Sequence, residues 1–291
     1  MAEILRNLRR RVRSIGNTMQ VTRAMAMVAA AKLRRSQMAL AAARPYGEKI
    51  KALLARVATS VAGECVHPLF ARREEKRIVL VLFTGDRGLC GAFNANIIRQ
   101  AEQFLAPWGK KNAEVYCVGK RGRDYFARRG WLMLGQVADL RGRVDFRTAR
   151  TIASRLQEHY STGTTDAAYL CYNTQISAVA FRGQIEKFLP LDPVAMGLTE
   201  TTGIAAEYIF EPSREEVFAQ LLPRYCESRI HSVLAEALTA EHSARMLAMN
   251  NASKNCEELI DTLTLRMNKA RQASITKEIG EIMGGAEALR K

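Results

Sequence analysis

The residues best suited to chemistry lie in one glycine-rich loop, which runs from Thr84 to Asn94. Its glycines Gly85, Gly88 and Gly91 follow GxxGxxG spacing, which differs from the dinucleotide fingerprint GxGxxG and from the phosphate loop GxxxxGK[ST]. A dinucleotide site also needs an acidic residue after the second strand, where this chain has Lys120. Ligand binding in the loop stays an open alternative, and the interpretation we favour is a tight strand-to-helix turn.

Cysteines and histidines are the other candidate chemical groups. No histidine stands near Cys90 of the loop in sequence, and no two histidines are four residues apart, so neither a Cys–His pair nor a helical two-histidine metal motif is indicated. The cysteines form no CxxC pair, which favours reduced, mostly buried thiols without a disulfide or zinc site. The residues concerned are Cys65, Cys90, Cys117, Cys171, Cys226, Cys256, His67, His159, His231 and His242.

The first ~55 residues predict a single helix, because apolar residues recur at steps of three and four. A stripe this narrow suits a helix partner. We expect Pro45 to kink the helix and the segment Gly63 to Pro68 to end it. The stripe consists of Ile4, Leu8, Val12, Ile15 and Met19.

In the middle of the chain, roughly Arg77 to Leu191, the apolar residues no longer follow the helical spacing of the first segment. Short β-branched apolar runs predict buried strands at Ile78 to Phe83, Glu114 to Val118 and Ala167 to Asn173. Helical patterns separate them around Ala92 to Leu105 and Arg147 to His159. Strands alternating with helices indicate a βαβ-type domain.

A second long helix is predicted from Ser213 almost to the C-terminus, with Pro223 interrupting it near the start. At 1.5 Å per residue, ~77 residues would extend ~115 Å. A helix of that length with a narrow stripe normally pairs with another helix, and the first helix is the other long one. Its apolar positions are Leu259, Leu263, Met267, Ile275, Ile279 and Ile282.

These elements predict an α/β protein with two parts. The N- and C-terminal helices form a long antiparallel coiled coil, and the centre forms a Rossmann-like α/β domain with a mostly parallel sheet. The predicted boundaries place the first shaft helix at residues 1–60, the α/β domain at 61–212 and the second shaft helix at 213–291.

Charge is distributed unevenly along the chain. The net charge is +15, yet residues 1–57 alone carry thirteen Lys/Arg against two Glu, and residues 213–289 carry nine against eleven acidic residues. A basic rod of this kind can face nucleic acid, anionic lipid or an acidic protein, or it can simply be a solvated helix face. No apolar run approaches the roughly 18–20 residues that span a bilayer. Because a periodic helix pattern begins at once, we expect no signal or transit segment.

Small residues accumulate near both chain ends, where they make thin helix surfaces. Two helices can pack closely there, or the end can fit a narrow sleeve formed by another protein. Helix propensity alone explains the alanines but not the glycines, since each interior Gly costs ~1 kcal/mol relative to Ala. The residues are Ala24, Ala26, Ala29, Ala30, Ala31, Ala270, Ala273, Gly280, Gly284, Gly285 and Ala286.

Four segments make the sequence similar to a known family. The chain resembles F-type ATP synthase gamma subunits over its whole length, most specifically at its two ends. The matching segments are Arg13 to Thr18 with Val21 to Arg34, the loop Asp86 to Asn94, Glu241 to Met246, and Asn268 to Ile279 with Glu281 to Ala286.

That resemblance implies a non-catalytic rotor without a cofactor. It would turn inside a ring of three alpha and three beta subunits, couple ion flow through the membrane c-ring to ATP synthesis or hydrolysis, and be present once per complex. It implies contact with the epsilon subunit and c-ring at Tyr208 and Glu211. It implies contact with the beta subunits at Arg23, Met25, Lys32, Arg34, Arg35, Arg271, Gln272, Thr276 and Glu278.

Three departures from the family pattern bear on rigidity and regulation. Gly16 replaces the usual long polar residue, which should soften the first helix, and Gly85 replaces the usual Ser, which should free the loop. The chain also lacks the inserted cysteine pair of chloroplast members, so we expect no thiol switch.

The competing hypotheses are a basic-helix nucleic-acid-binding protein and a nucleotide-dependent α/β enzyme. The sequence offers no recognition helix, zinc finger or stacking aromatics for the first, and no nucleophile, base and charge stabiliser for the second. We therefore expect no nucleic-acid partner. The resemblance also places the protein on the cytoplasmic face of the bacterial inner membrane, attached only through the complex.

Overall fold

The computed structural model describes residues 2–60, 67–140, 142, 144–177, 180–193 and 211–288. The chain consists of two compact units. The first unit comprises residues 1–29 and 246–291, and the second comprises residues 30–245. The boundaries predicted at residues 60 and 213 are not tested by this grouping and stay a prediction.

Six α-helices and five strands are described, together with a short 3-10 helix at Pro68–Phe70. Both long helices were predicted, and the first and fourth strands begin where the apolar runs begin. The elements are α1 Ala2–Ser60, β1 Ile78–Phe83, α2 Phe93–Leu105, α3 Gly109–Asn112, β2 Ala113–Val118, α4 Lys120–Arg128, β3 Leu132–Val137, α5 Phe146–Ser161, β4 Ala167–Gln175, β5 Phe181–Leu189 and α6 Arg214–Ala288.

The first unit is a pair of helices built on two matching stripes. Buried and half-buried positions alternate at steps of three and four on both helices, which is the heptad pattern of a coiled coil. Ile4 is 54% exposed and Leu259 is 51% exposed, so both predictions for the seam are wrong and their neighbours Leu5 and Ile260 take those places. The predicted seam positions Ile275, Ile279 and Ile282 are also exposed, so these predictions are wrong as well. The stripes are Leu5, Leu8, Val12, Ile15, Met19, Thr22, Ala26 and Ala29 on α1, and Met249, Ser253, Cys256, Ile260, Leu263, Met267, Ala270 and Ser274 on α6.

The two long helices pair antiparallel, as predicted. In the first unit the Thr22 and Ser253 hydroxyl oxygens are 2.7 Å apart. In the second unit Gly47 packs against Ser228, whose Oγ would lie 3.4 Å from a Cβ added at the glycine. Residues further along α1 therefore contact residues that come earlier in α6.

The second unit is organised around a five-stranded sheet in the order β3-β2-β1-β4-β5. The first four strands are parallel and β5 pairs antiparallel with β4. The predicted Rossmann-like, mostly parallel sheet is confirmed. The two edge strands were missed because they are only half-buried and lack a continuous β-branched apolar run.

Apolar side chains cover both faces of this sheet. On one face α2 and α4 pack through Ile97, Leu105 and Phe126. On the other face, α5 and the parts of α1 and α6 within this unit form the larger core, which includes Leu54 and Leu222. All six residues of β1 are buried, as expected for a central parallel strand.

Neither proline ends a long helix. Helix α1 continues through Pro45 and α6 continues through Pro223, so the expected interruption at Pro223 is wrong. Leu222 and Cys226 are fully buried on either side of Pro223, and their packing offsets the hydrogen bond that the proline removes. The kink at Pro45 stays a prediction.

Candidate functional site

The residues implied to contact beta subunits are mostly exposed. In the first unit, Met25 is half-buried beside the seam and the remainder are exposed, namely Arg23, Arg271, Gln272, Thr276 and Glu278. In the second unit, Lys32, Arg34 and Arg35 are exposed on α1. Exposure leaves their side chains available to another chain, while their role as contacts stays a prediction.

Arg23 has a partner on the opposite helix. Its guanidinium lies 3.6 Å from the carboxylate of Glu257, and both side chains are more than half exposed. Such a pair contributes only about 0–1 kcal/mol, because water screens it. The basic helix therefore meets part of the acidic helix, but apolar packing must supply most of the attraction.

The C-terminal end of α6 carries an apolar stripe that no described α1 side chain covers. The heptad register set by Thr22 and Ser253 brings Ser274 opposite the start of α1. Beyond it, every side chain from 275 to 285 is exposed. The large apolar residues there are Ile275, Ile279, Ile282 and Met283, with exposures of 49%, 56%, 71% and 64%.

The glycine-rich loop after β1 is held by its own side chains. Asp86 accepts backbone hydrogen bonds from Lys120 at 3.1 Å and Leu140 at 3.0 Å, and Asn94 accepts one from Gly85 at 2.8 Å. The loop amide of Gly85 and the amide of Lys120, which opens α4, are thus occupied, and a phosphate would need such groups free. The arrangement fits the tight-turn interpretation.

A buried ion pair closes the loop on its inner side. Arg245 donates to Glu241 at 2.6 Å and to the carbonyl oxygens of Arg87 and Gly88. Burial raises the pKa of Glu241, and Arg245 opposes that rise. A Cβ added at Gly85 would lie 2.9 Å from the Glu241 carboxylate, so this glycine permits a close approach rather than adding freedom.

His242 is a buried, neutral imidazole. It is 2% exposed, and neither ring nitrogen has a hydrogen-bond partner among the described residues. Burial, with the nearby charges of Arg245 and Lys32, lowers its pKa to about 4. The ring packs against Gly142, where an added Cβ would stand 3.1 Å from Nε2.

The thiols are suited to packing rather than to nucleophilic attack. Cys90 is buried, and burial raises the pKa of its thiol above the ordinary value. Burial raises the pKa of Cys117 and Cys226 to about 12 in each case. A protonated thiol is a poor nucleophile. All described cysteines are free, and the described residues contain no cluster of metal-ligating groups.

Sequence reasoning missed a charged network in the second unit. The Arg229 guanidinium donates to both carboxylate oxygens of Glu186, at 2.9 and 2.7 Å, and to the Tyr172 hydroxyl at 2.9 Å. It also lies 3.5 Å from Glu236, which accepts a hydrogen bond from Thr174. No motif marks these residues, because they come from β4, β5 and α6 and meet only in three dimensions.

This network lines a groove of about 1400 Å³ between the shaft helices and the β4–β5 edge. Burial raises the pKa of Tyr172, so its hydroxyl stays protonated and can donate a hydrogen bond at neutral pH. Burial also raises the pKa of Glu236. The bidentate pair of Arg229 and Glu186 fixes the relative orientation of these two side chains. The network joins α6 to the sheet edge and provides no assembled nucleophile or base.

The two residues implied to contact epsilon and the c-ring are placed differently. Tyr208 lies outside the described residues. Glu211 is exposed just before α6 begins. Among the described residues, no helix is both long and apolar enough to cross a membrane.

Comparison with known proteins gives a full-length match. A family model described as ATP synthase matches residues 4–289. The ATP synthase gamma chain of Pelotomaculum thermopropionicum is 46% identical, with 98% of this chain and 99% of the relative covered.

Two solved structures share the fold. The Euglena gracilis mitochondrial ATP synthase, in its OSCP/F1/c-ring structure, contains a chain that matches with a TM-score of 0.68 and 19% identity, covering 99% of this chain and 95% of that one. A chain of the Tetrahymena thermophila mitochondrial central stalk and c-ring matches with a TM-score of 0.61 and 24% identity, over 80% and 99%.

Proposed function

Because this chain belongs to the gamma-chain family of ATP synthases, whose members are central-stalk rotor subunits of the F-type enzyme, we propose that it transmits torque without catalysing a reaction itself. The observation that carries the proposal is the full-length 46% identity to a gamma chain. Its α1–α6 pair is the part that turns, and the nucleotide chemistry belongs to other subunits.

The partners follow from the surfaces of each unit. The contact residues already named in the first unit, Met25 included, together with Lys32, Arg34 and Arg35, contact the beta subunits, and the basic charge of α1 steers that contact toward acidic surfaces. The exposed apolar stripe Ile275, Ile279 and Ile282 lies within the alpha–beta ring. The region of Tyr208 and Glu211 contacts the epsilon subunit and the c-ring.

Rotation would drive the catalytic sites by differential contact. A rotor that binds each beta subunit differently at each angle shifts that subunit among its conformations by the difference in binding free energy. The complex holds one copy of this chain on the cytoplasmic face of the bacterial inner membrane, and the chain meets the membrane only through the complex.

The nucleic-acid alternative has no supporting observation. Arg23 of the basic helix faces Glu257, and the aromatic residues with ring contacts pack among themselves within the second unit. A binding protein for single strands would instead present aromatic side chains along a basic groove.

The test is ATP hydrolysis by a reconstituted alpha–beta mixture with and without this chain. We expect turnover to rise with the full chain and to fall by about tenfold when the chain is truncated after Ser274, since the uncovered stripe is removed. Lys277→Ala is the matched control, because it changes an exposed residue of the same segment without removing the stripe.

The truncated chain should unfold at the same denaturant concentration as the full chain, because the side chains from 275 to 285 are exposed. A chain that neither joined the alpha–beta assembly nor changed its turnover would contradict the rotor proposal.

A further inference from the structure

Helix α1 is anchored at two places in the second unit and has little support between them. Near its C-terminal end, Leu54 and Val57 are both 0% exposed and belong to the large core. Nearer its N-terminal end, Leu33 and Ser36 are buried. Between these anchors, no side chain from 37 to 49 is buried. This stretch of α1 therefore has few packing contacts to hold it straight.

The weakly supported stretch spans the groove that the Arg229 network lines. Helix α1 forms one wall of this groove from Gln37 to Lys51, and residues of β4, β5 and α6 form the others. The groove measures about 1400 Å³. Side chains that face open space have no partner atoms on that side, so little resists a change in the curvature of α1 there.

Two residues that weaken a helix lie in the same stretch. Pro45 cannot donate the backbone hydrogen bond that the Ala41 carbonyl would accept, and its ring crowds that carbonyl. Gly47 follows two residues later and adds backbone freedom. Helices bend sharply at such residues. The weakest backbone of α1 therefore coincides with its weakest packing.

Pro223 in α6 provides an internal comparison. It also lies inside a long helix, but Leu222 and Cys226 on either side of it are fully buried. Burial continues along α6 through Ile230 and Val233, which belong to the large core. The same backbone defect is therefore held by packing in α6 and left without that support in α1.

We propose that residues 41–47 form a hinge at which α1 bends beside the groove while α6 stays fixed to the sheet. The buried anchors on both sides keep α1 attached, so bending changes the width of the groove and leaves the large core intact. The hinge needs both the backbone defect and the missing support, because Pro223 has the first without the second.

Hydrogen exchange of the full-length chain, followed by mass spectrometry, tests the hinge. We expect amides 46–49 to exchange at least about tenfold faster than amides 54–57. In Pro45→Ala, exchange at 46–49 should slow at least about tenfold, because the bend regains a helical hydrogen bond. In Pro223→Ala, the matched control, exchange at 224–227 should change by less than about threefold, because packing already holds that turn.

Gly47→Ala is a second variant that leaves the proline in place. An added Cβ would stand 3.4 Å from the Ser228 Oγ, which is an ordinary contact distance, so this variant should fold. We expect exchange at 46–49 to slow about fivefold, because Ala restricts the backbone. Gly16→Ala makes the same change elsewhere in α1, where nothing lies within 4 Å, and should leave exchange at 46–49 unchanged.

A distance measurement tests the bending itself. Spin labels on Ala41→Cys in α1 and Gln175→Cys in β4 report the width of the groove, in a chain whose native cysteines are replaced by serine. We expect a broad distribution of distances in this chain, and its width should fall by about half when Pro45→Ala is added.

Slow exchange at 46–49 in the wild-type chain would overturn the hinge, as would a distance distribution that Pro45→Ala leaves equally broad. Equal slowing by Pro45→Ala and Pro223→Ala would also overturn it, because proline alone would then explain the exchange. Neither experiment contains an alpha or beta subunit, so its failure leaves the rotor proposal intact. Conversely, a chain that fails to stimulate ATP hydrolysis can still show the hinge.

Discussion

The two units are stabilised in different ways. In the second unit, β1 is buried along its whole length and both faces of the sheet are covered. In the first unit, the seam of each helix is one narrow stripe, and most of its positions are only half-buried. Dense packing around each side chain therefore stabilises the second unit and makes it sensitive to single changes in its core, whereas the first unit distributes modest contacts along two helices.

The largest difference should come from trimming one leucine in each unit. Leu54 is 0% exposed within the large core, so Leu54→Ala should lower the free energy of unfolding by about 4 kcal/mol through lost burial and a cavity. Leu8 is half-buried, and Leu8→Ala should lower it by about 1 kcal/mol. Urea unfolding of the full chain measures both, and equal losses would show that the units do not differ in this way.

Acid should weaken the second unit through His242. Its pKa is lowered to about 4 in the folded state, so the unfolded chain binds the proton more readily between about pH 4 and 6.5. Stability is therefore lost as pH falls through that window, by at most about 3 kcal/mol. Lys32, Arg245 and Glu241 are the charged neighbours, and the raised pKa of Glu241 acts in the opposite sense.

Comparing wild type with His242→Gln in unfolding measurements at pH 4.5 and 7 separates the histidine from Glu241. The difference between the two proteins should change with pH, and a constant difference would refute the assignment.

Two glycine substitutions should shift stability in opposite directions. Gly119 has φ +99°, and a Cβ there would lie 2.0 Å from the Thr84 carbonyl oxygen, so Gly119→Ala should destabilise by about 2 kcal/mol or more. Gly16 is inside α1 with nothing within 4 Å, so Gly16→Ala should stabilise by about 1 kcal/mol. Thermal unfolding followed by circular dichroism checks both signs, and a loss at Gly16 would imply a close partner there.

The smallest effect should come from the exposed ion pair of the first unit. A double-mutant cycle with Arg23→Ala and Glu257→Ala should give a coupling energy below about 0.5 kcal/mol, further reduced at high salt. A coupling above about 1.5 kcal/mol would mean that charge holds the helices together more than the seam does.

The sequence predicted the elements with strong periodicity and failed where burial was incomplete. The run Ile78 to Phe83 predicted β1 because a central parallel strand needs apolar residues on both faces. In the edge strand β5, the polar residues Arg182, Gln184 and Glu186 occupy every second position. The sequence of this strand could therefore not be distinguished from that of a loop. The error at Ile4 arose because Ile4 lies four residues before Leu8 and Leu5 lies three before it, and both steps fit a helical stripe when only a few turns are read.

Individual side-chain contacts were harder to predict than elements. The Arg229–Glu186 pair joins residues 43 positions apart, and nothing in their local sequence marks them as partners. The close approach of the Glu241 carboxylate to Gly85 could likewise not be predicted, because the spacing of glycines predicts a turn but not which side chain packs against it. The exposed contact residues were reached by resemblance, because no physical pattern in one chain specifies the surface of another.

The end of α6 has a mechanical consequence. From 275 to 285 it extends as a single helix past the described side chains of α1, and it includes Gly280, Gly284 and Gly285. Segments that carry the same torque in series twist in inverse proportion to their stiffness, and a lone helix with flexible residues is less stiff than a pair. If the tip were held by another chain, elastic energy under load would therefore collect in this terminal segment as in a torsion spring.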